Sequence, residues 1–357
     1  MRRRDFIGVV VPPLVKRLPR EVKMRVLSFA LCLFGSLSLL ATTSLHSEPV
    51  KIRNAFAVPV ANWAPMLEAK KDLAKHWGQS YVMEAVRYQG TPPMITALAN
   101  NELEIANLAY STLGLAIQNA GLEDLRIVAD EFQDGVPGYY SSEFFVGKDS
   151  GINSIKDLKG KVLAINASGS GIDIGMKVVL KKNGLEDKRD FTVIEAPFPT
   201  MPAILSEKKA DLVPGVMPFS LNPVLKQNGK VLFEQKDGLG RSQFIFWVMR
   251  KSFIDQHRAA VVDFMEDVLR IERWYLDPKN HDEVAKIASS FLKVPPERFD
   301  WLFTKQDYYR DPNGLPDLAA LQRNVDAAAD LGVFKPGLIV SKYADLSIVK
   351  EAAARLK

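Results

Sequence analysis

The loop Ser168-Gly169-Ser170-Gly171 carries the residue types best suited to chemistry in this chain of 357 residues. It follows the apolar run VLAI and leads into IDIGMKVVL, so it joins a predicted strand to a predicted helix. A strand, a Gly-x-Gly turn and a helix form either a dinucleotide-binding turn or a simpler anion-binding helix start. A third possibility is that Ser170 only caps its own helix.

The dinucleotide interpretation would use Glu195, which ends the next predicted strand, where a ribose-binding acid is expected. However, the third glycine of that fingerprint is displaced to Gly175. The polar-ligand interpretation needs only glycines that let a ligand approach, serine hydroxyls and the free N–H groups of a helix start. We therefore predict all four loop residues as ligand contacts and expect no cofactor.

The histidines and the cysteine form no catalytic or metal-binding pattern. His76, His257 and His281 have neither metal-ligand spacing nor a Gly-x-Ser-x-Gly turn beside them. The single cysteine, Cys32, lies in the N-terminal segment, so the rest of the chain has no thiol nucleophile and no disulfide. We expect a binding protein rather than an enzyme, with no metal.

Several aromatic side chains stand at the ends of predicted strands, beside glycine and proline. For each one alone, core packing is the better interpretation. Together they suggest a cleft for an organic ligand with an apolar body. These residues are Trp63, Tyr110, Tyr139, Tyr140, Phe198 and Phe219.

Strand and helix patterns alternate from Val50 onward, which predicts an α/β fold. Residues 91–111 and 200–220 both run through Thr, Pro, a short helix, an acidic residue, a strand, an aromatic residue and Ser. This internal similarity predicts two similar lobes. Because ligands bind beyond the carboxyl ends of strands in open α/β sheets, we expect the site in a cleft between the lobes.

Residues 1–47 have the composition of an export leader. Lys23 and Arg25 precede an apolar run from Val26 to Leu40, and small polar residues follow it. The run is shorter than the roughly 20 residues that span a bilayer, which favours cleavage over a permanent anchor. Translation could start at Met24, or the upstream RRRDF could be a twin-arginine signal.

The basic charge of the chain belongs to this leader. Residues 1–47 hold eight Lys or Arg and two Asp or Glu, which leaves 39 basic and 40 acidic residues, a net charge of −1. The pI of 9.0 is therefore no argument for a nucleic-acid partner. An exported chain without cysteine fits a periplasmic protein.

Several motifs resemble one family in order and in detail. They are WAPMLEAKKDLAKHW, VRYQGTPPMITALANNELEIANL, FFVGKDSGINSIKDLKGKVLAI, SGSGIDIGMKVVLKKNGL and APFPTMPAILSEKKADLVPGVMPF. Their order resembles the nitrate, sulfonate and taurine group of ABC-transporter periplasmic binding proteins, and is similar to the pyrimidine-precursor binders of thiamine salvage. The resemblance covers most of residues 50 to 300.

The resemblance implies a type II periplasmic binding fold, with two Rossmann-like α/β lobes joined by a two-strand hinge near residues 141–145 and 239–245. Lobe 1 would hold residues 48–145 and 241–357, and lobe 2 residues 146–240. Implied ligand contacts are Trp63, Gly90, Thr91, Tyr110, Ser111, the loop 168–171, Phe198, Pro199, Thr200, Pro218 and Phe219. The implied partners are a small molecule and an inner-membrane ABC permease, and we expect a monomer.

The chain departs from the family pattern at the site. It has LAYST where many relatives have an acidic residue and VMPF where they often have Trp-Glu-Pro, and no arginine falls on a matching position. Recognition would then depend on neutral hydrogen bonds and the helix start. We predict a solute-binding protein for a small organic anion of sulfonate, carboxylate or aromatic type. The alternative is an enzyme on the same fold, either NAD-dependent or similar to pyrimidine-precursor synthesis.

Overall fold

The computed structural model describes residues 48–356, so the predicted leader at residues 1–47 lies outside the described residues. The strands are β1 Val50–Phe56, β2 Tyr81–Arg87, β3 Ala106–Ala109, β4 Leu125–Asp134, β5 Glu143–Gly147, β6 Val162–Ile165, β7 Thr192–Glu195, β8 Leu212–Gly215, β9 Gly229–Glu234 and β10 Ser242–Arg250. The α-helices are α1 Trp63–Ala69, α2 Thr91–Ala99, α3 Tyr110–Gly114, α4 Gly171–Lys182, α5 Met201–Ser206, α6 Pro223–Asn228, α7 Lys236–Leu239, α8 Lys251–Leu276, α9 His281–Leu292, α10 Leu318–Asp330 and α11 Ser347–Arg355. The fold is α/β, as the alternating sequence pattern predicts.

Two sheets organise the described residues. In the first sheet β1 and β2 are parallel, and β10 lies antiparallel between β3 and β4. A parallel bridge between Asn54 and Ile105 joins these two groups, giving the order β2-β1-β3-β10-β4. The second sheet has the order β7-β6-β8-β5-β9, with β5 antiparallel to its neighbours β8 and β9. The second sheet is thus built from consecutive strands, β5 to β9, whereas the first combines β1 to β4 with β10, which follows the second sheet in the chain.

The two similar sequence segments occupy equivalent positions in these sheets. The first contains α2 and β3, and the second contains α5 and β8, where β3 and β8 are the central strands. Glu104, just before β3, accepts a hydrogen bond from the Arg53 N–H at 2.7 Å. Asp211, just before β8, accepts one from the Val162 N–H at 2.9 Å. Each acid therefore holds a neighbouring strand, β1 or β6, to the central strand of its sheet.

The chain crosses between the sheets twice, at residues 135–142 and 235–241. The crossings are in contact, because Gln235 N–H donates to the Ser142 carbonyl at 2.8 Å. Buried Asp134 fastens the first crossing by accepting hydrogen bonds from the hydroxyls of Ser141 and Ser142. Strand β5 begins at Glu143, so the boundary predicted at residue 145 falls within a strand of the second sheet.

Two helices near the cleft show how local sequence sets their bounds. Helix α1 begins at Trp63 and ends at Ala69, and the single 3-10 turn Lys71–Leu73 follows it. Helix α4 ends near Gly184, which has the φ of +83° expected for a left-handed helix end. No helix of residues 48–356 is both long enough and apolar enough to cross a membrane.

Candidate functional site

A cavity of about 50 Å³ lies between the two sheets. A water molecule needs about 10–15 Å³ of such space, so the cavity has room for more than a single water molecule. Its walls come from both sheets and their helices, and they are mostly apolar. The lining residues are Ala57, Val58, Ala61, Asn62, Gly90, Thr91, Asn107, Phe132, Asn166, Ser170, Gly171, Ile172, Phe198, Val216, Met217, Phe244, Ile245 and Tyr308.

The start of α4 forms the wall on the side of the second sheet. Ser170 is its N-cap, and its hydroxyl accepts a hydrogen bond from the Asp173 N–H at 3.2 Å. The same hydroxyl donates its proton to Asn166 Oδ1 at 2.8 Å. The loop pattern predicted that this hydroxyl donates to a ligand, but in the structure its proton is donated to Asn166. The capping role weighed for Ser170 from the sequence is the one the structure shows.

The backbone of the α4 start remains open to a ligand. Gly171 and Ile172 are in the first helical turn, where N–H groups have no acceptor within the helix. Both residues line the cavity. A side chain at position 171 would fill this space, because a Cβ atom there would lie 2.6 Å from the Phe244 ring and 2.9 Å from Ala109. This helix start is therefore a donor site for an anionic or carbonyl oxygen, with the favourable end of the helix dipole.

The start of α2, on the opposite wall, has fewer backbone donors. Pro92 and Pro93 follow Thr91 in the first turn and have no N–H. The Thr91 side chain is buried and its Oγ1 has no hydrogen-bond partner among the described residues. Because buried hydroxyls are normally paired, the free Thr91 Oγ1 indicates a ligand group at this wall.

A buried carboxylate stands behind the wall on the side of the first sheet. Glu131 accepts hydrogen bonds from the Trp63 N–H, at 2.8 Å, and from Asn107 Nδ2. Burial raises the pKa of the Glu131 carboxyl to about 7, because its effect is larger than that of the hydrogen bonds, which lower the pKa. Asn107 lines the cavity and its Oδ1 has no partner among the described residues.

A wider outer cleft of about 330 Å³ adjoins the cavity and shares Ala57, Val58 and Phe198 with it. The rings of Phe198 and Phe219 are stacked there, with centroids 6.2 Å apart. Arg87 lines this cleft and not the inner cavity. The described residues that line the inner cavity include neither arginine nor lysine.

Among the sixteen residues predicted at the site, five line the inner cavity: Gly90, Thr91, Ser170, Gly171 and Phe198. Pro199 and Phe219 lie in the outer cleft.

Three predicted residues instead connect the two sides of the cleft. The Tyr110 hydroxyl donates to the Gly171 carbonyl at 2.5 Å, and the Ser111 hydroxyl donates to the Gly169 carbonyl at 2.8 Å. Tyr140, in the first crossing, donates to the Gly215 carbonyl of β8 at 2.9 Å. These side chains hold the cleft closed and do not line the inner cavity.

The remaining predicted residues lie away from the cavity. The Trp63 ring is buried against Phe303, with ring centroids 5.0 Å apart. Only the backbone N–H of Trp63 faces the Glu131 carboxylate. Ser168 is exposed and bonds to Glu195, the residue that the dinucleotide interpretation would have used for ribose. The others are Tyr139, packed edge-on against Tyr309; Gly169, beside Ser168; Thr200, exposed and bonded to the Pro197 carbonyl; and Pro218, which follows a cis peptide bond.

The sequence analysis missed the three asparagines of the cavity. Asn166 directly follows β6, so the rule that ligands bind beyond strand ends could have identified it. Asn107 is a lone polar residue in the buried strand ANLA, and Asn62 precedes α1. Among residues 48–356, no group of His, Cys, Asp or Glu side chains is arranged to hold a metal ion.

Comparison with known proteins identifies the family. The family model described as "NMT1-like family" matches residues 46–289. The chain belongs to the NMT1-like family. The taurine-binding periplasmic protein of Escherichia coli (strain K12) is 24% identical to this NMT1-like chain over 264 residues, covering 71% of the chain and 77% of that protein.

Solved structures share the fold of this NMT1-like protein. The alkanesulfonate-binding protein of Xanthomonas axonopodis pv. citri, solved with bound MOPS, has a TM-score of 0.67 at 18% identity, covering 84% of this chain and 100% of its own. The nitrate-binding protein of Synechocystis PCC 6803 has a TM-score of 0.68 at 16% identity, covering 87% and 90%. A desulfurization enzyme also matches, with a TM-score of 0.61 at 13% identity, covering 87% and 100%. The resemblance to the nitrate, sulfonate and taurine group is confirmed, and the fold is shared by binding proteins and an enzyme.

Proposed function

We propose that this NMT1-like protein is the periplasmic solute-binding component of an ABC importer, and that it carries a small organic anion with a sulfonate or carboxylate group. The observation that carries the proposal is the cavity whose lining comes from both sheets and includes the open start of α4. The named binding relatives support the same class of function.

The two crossings would act as the hinge of this protein. The two lobes, which these crossings connect, would separate to admit the ligand and close over it. Closure is favoured when the ligand contacts both walls, because each wall alone supplies only part of the binding energy. The hydrogen bonds of Tyr110 and Ser111 across the cleft support a closed state of this kind.

Recognition of the anion would not need a guanidinium group. The N–H groups of Gly171 and Ile172 would bind its oxygens, and the Thr91 hydroxyl would reach it from the opposite wall. Such donors are fixed before the ligand arrives, and the low dielectric of a closed cavity strengthens them. Phe132, Phe198 and Phe244 would contact the apolar part of the ligand.

The proposal includes the cellular setting. A cleavable leader at residues 1–47 would direct export to the periplasm, and an ABC permease in the inner membrane would receive the ligand from the monomeric binding protein. The leader composition and the periplasmic relatives support this setting.

Binding is favoured over catalysis by the chemistry of the lining. The eighteen lining residues include no His, Cys, Asp, Glu or Lys side chain, so the hydroxyls of Thr91 and Ser170 have no such base beside them in the lining to activate them. The polar groups that do line the cavity are amides, hydroxyls and backbone N–H groups, which suit reversible binding.

Calorimetric titration of the exported protein tests the function. We expect saturable binding of at least one among taurine, ethanesulfonate, β-alanine and propanoate, with the ligand recovered unchanged by mass spectrometry. NAD serves as the control for the dinucleotide interpretation and should not bind. Binding of NAD alone, or chemical conversion of a bound compound, would overturn the proposal.

A further inference from the structure

Asn107 is a lining residue of the cavity and carries a buried, unpaired acceptor. Its side chain is 1% exposed, and its Oδ1 has no hydrogen-bond partner among the described residues. A buried amide oxygen normally accepts a hydrogen bond, so the space in front of it should hold a donor. This requirement differs from that of the α4 start, which offers donors and needs an acceptor.

Glu131 determines which end of the Asn107 amide faces the cavity. Glu131 Oε1 accepts from the Trp63 N–H, and Glu131 Oε2 accepts from Asn107 Nδ2. A carboxylate with both oxygens in use as acceptors must face the NH₂ group of the amide. The Oδ1 atom is therefore turned away from Glu131, and Asn107 lines the cavity.

We infer that the ligand carries a hydrogen-bond donor, an ammonium or hydroxyl group, that pairs with Asn107 Oδ1 while its anionic oxygens meet the start of α4. The ligand class is thus an amino- or hydroxy-substituted sulfonate or carboxylate. Glu131 acts as a positioning residue, because it acts through the Asn107 amide. This inference rests on the proposed function.

The charges around the cavity agree with a ligand of this polarity. The Glu131 carboxylate lies behind Asn107, on the side of the first sheet, and the positive end of the α4 dipole lies on the other. A ligand with a donor or positive group at one end and oxygens at the other matches both walls. An anion without a donor leaves Asn107 Oδ1 unpaired in a closed, buried cavity, which costs binding energy.

Matched ligand pairs test the inference on the unaltered protein. Taurine and ethanesulfonate differ by the amino group, as do β-alanine and propanoate, and isethionate supplies a hydroxyl instead. We expect the donor-bearing member of at least one pair to bind about tenfold more tightly than its partner, the effect of one buried hydrogen bond. Equal affinities within each pair that binds would overturn the donor requirement and leave the proposed function in place. If no member of either pair binds, both the function and this inference are wrong.

The Glu131→Gln variant tests the role of Glu131. The amide oxygen of the new glutamine would still accept the hydrogen bond from the Trp63 backbone N–H. Its NH₂ group would then face Asn107, and the Asn107 amide would rotate so that its oxygen accepts from this group. The cavity would then contain a donor at this position instead of an acceptor. We expect the preference for the donor-bearing ligand to fall to unity or to invert, a change in selectivity that general loss of stability would not produce.

Thr91→Val is the matched control, because Thr91 also lines the cavity but does not contact Glu131 or Asn107 through a hydrogen bond. We expect it to weaken both members of a pair by a similar factor. The opposite result would be loss of the pair preference in Thr91→Val together with its retention in Glu131→Gln. It would show that the donor group of the ligand pairs with Thr91 and not with Asn107, and it would overturn the inference.

Discussion

The Tyr110 hydroxyl donates a hydrogen bond to the carbonyl oxygen of Gly171, 2.5 Å away. Tyr110 directly follows β3 of the first sheet, and Gly171 begins α4, which follows β6 of the second sheet, so the bond joins the two sides of the cleft. Gly171 lines the cavity, while Tyr110 is fully buried beside it. The bond therefore forms only when the two sides of the cleft are together, which links closure to the position of the anion-binding helix start.

Tyr110→Phe removes this bond without changing the volume of the ring. We expect the dissociation constant to rise about two- to tenfold, because one neutral hydrogen bond that stabilises the closed state is lost. Titration calorimetry with the tightest ligand of the panel measures the change. Tyr275→Phe is the control, since its hydroxyl bonds to the Met66 carbonyl on one side of the cleft only. An equal loss of affinity in both variants would contradict the role of Tyr110 in closure.

Gly90→Ala should hold the cleft open. A Cβ atom at this position would lie 2.7 Å from Asn166 Nδ2, and the Asn166 side chain is held by Ser170. Because the apparent affinity scales with the closed fraction, we expect binding weaker by about tenfold. Small-angle scattering with saturating ligand should show a larger radius of gyration than for the unaltered protein.

Gly147→Ala provides the matched control for Gly90→Ala. The nearest neighbour of the added Cβ atom would be Ser150 Cβ at 3.6 Å, which is an ordinary contact on the side of the second sheet, away from the cleft. Affinity and radius of gyration should both stay unchanged. A Gly90→Ala protein that binds and closes normally would show that the cleft tolerates the added methyl group.

Ser168→Ala and Ser170→Ala separate the two serines of the loop. Ser170 caps α4 and orients Asn166, so its loss should cost about 0.5–2 kcal/mol of stability and weaken ligand binding. Ser168 is exposed and bonds only to Glu195, so its loss should leave the dissociation constant unchanged. Thermal melts and titrations of the two variants measure this. Weaker binding in Ser168→Ala would restore it as a ligand contact.

Stability should fall as the pH rises from about 5 to about 8. Burial raises the pKa of the Asp130 and Glu131 carboxyls to about 7 and that of the Asp134 carboxyl to about 6. The unfolded carboxyls titrate near about pH 4, so between these values the folded protein binds more protons. Protonation then stabilises the fold, and this contribution is lost as the pH rises through 6 to 7.

Melting temperatures at constant ionic strength measure this dependence. In Glu131→Gln the slope should be shallower, because one of the three carboxyls no longer titrates. A melting temperature that increases from about pH 5 to about pH 8 would contradict the raised pKa values.

Local patterns were enough to predict part of the site. Gly90, Thr91, Ser170 and Gly171 all lie where a strand leads into a helix, and the carboxyl ends of strands face the cleft in this fold class. Asn107 and Phe244 could not be found in this way. They lie inside buried strands, and only strand order in the first sheet brings β10 beside β3.

The sequence by itself determined the α/β class, the internal similarity of two segments, the family resemblance and the loop that begins α4, because these depend on residue type and spacing along the chain. Only the tertiary structure decided which groups remain free for a ligand. Ser168 bonds to Glu195, 27 residues away, and Asn107 to Glu131, 24 residues away. A hydroxyl or amide can satisfy only a limited number of partners, so these pairings determine what each side chain still offers to the cavity.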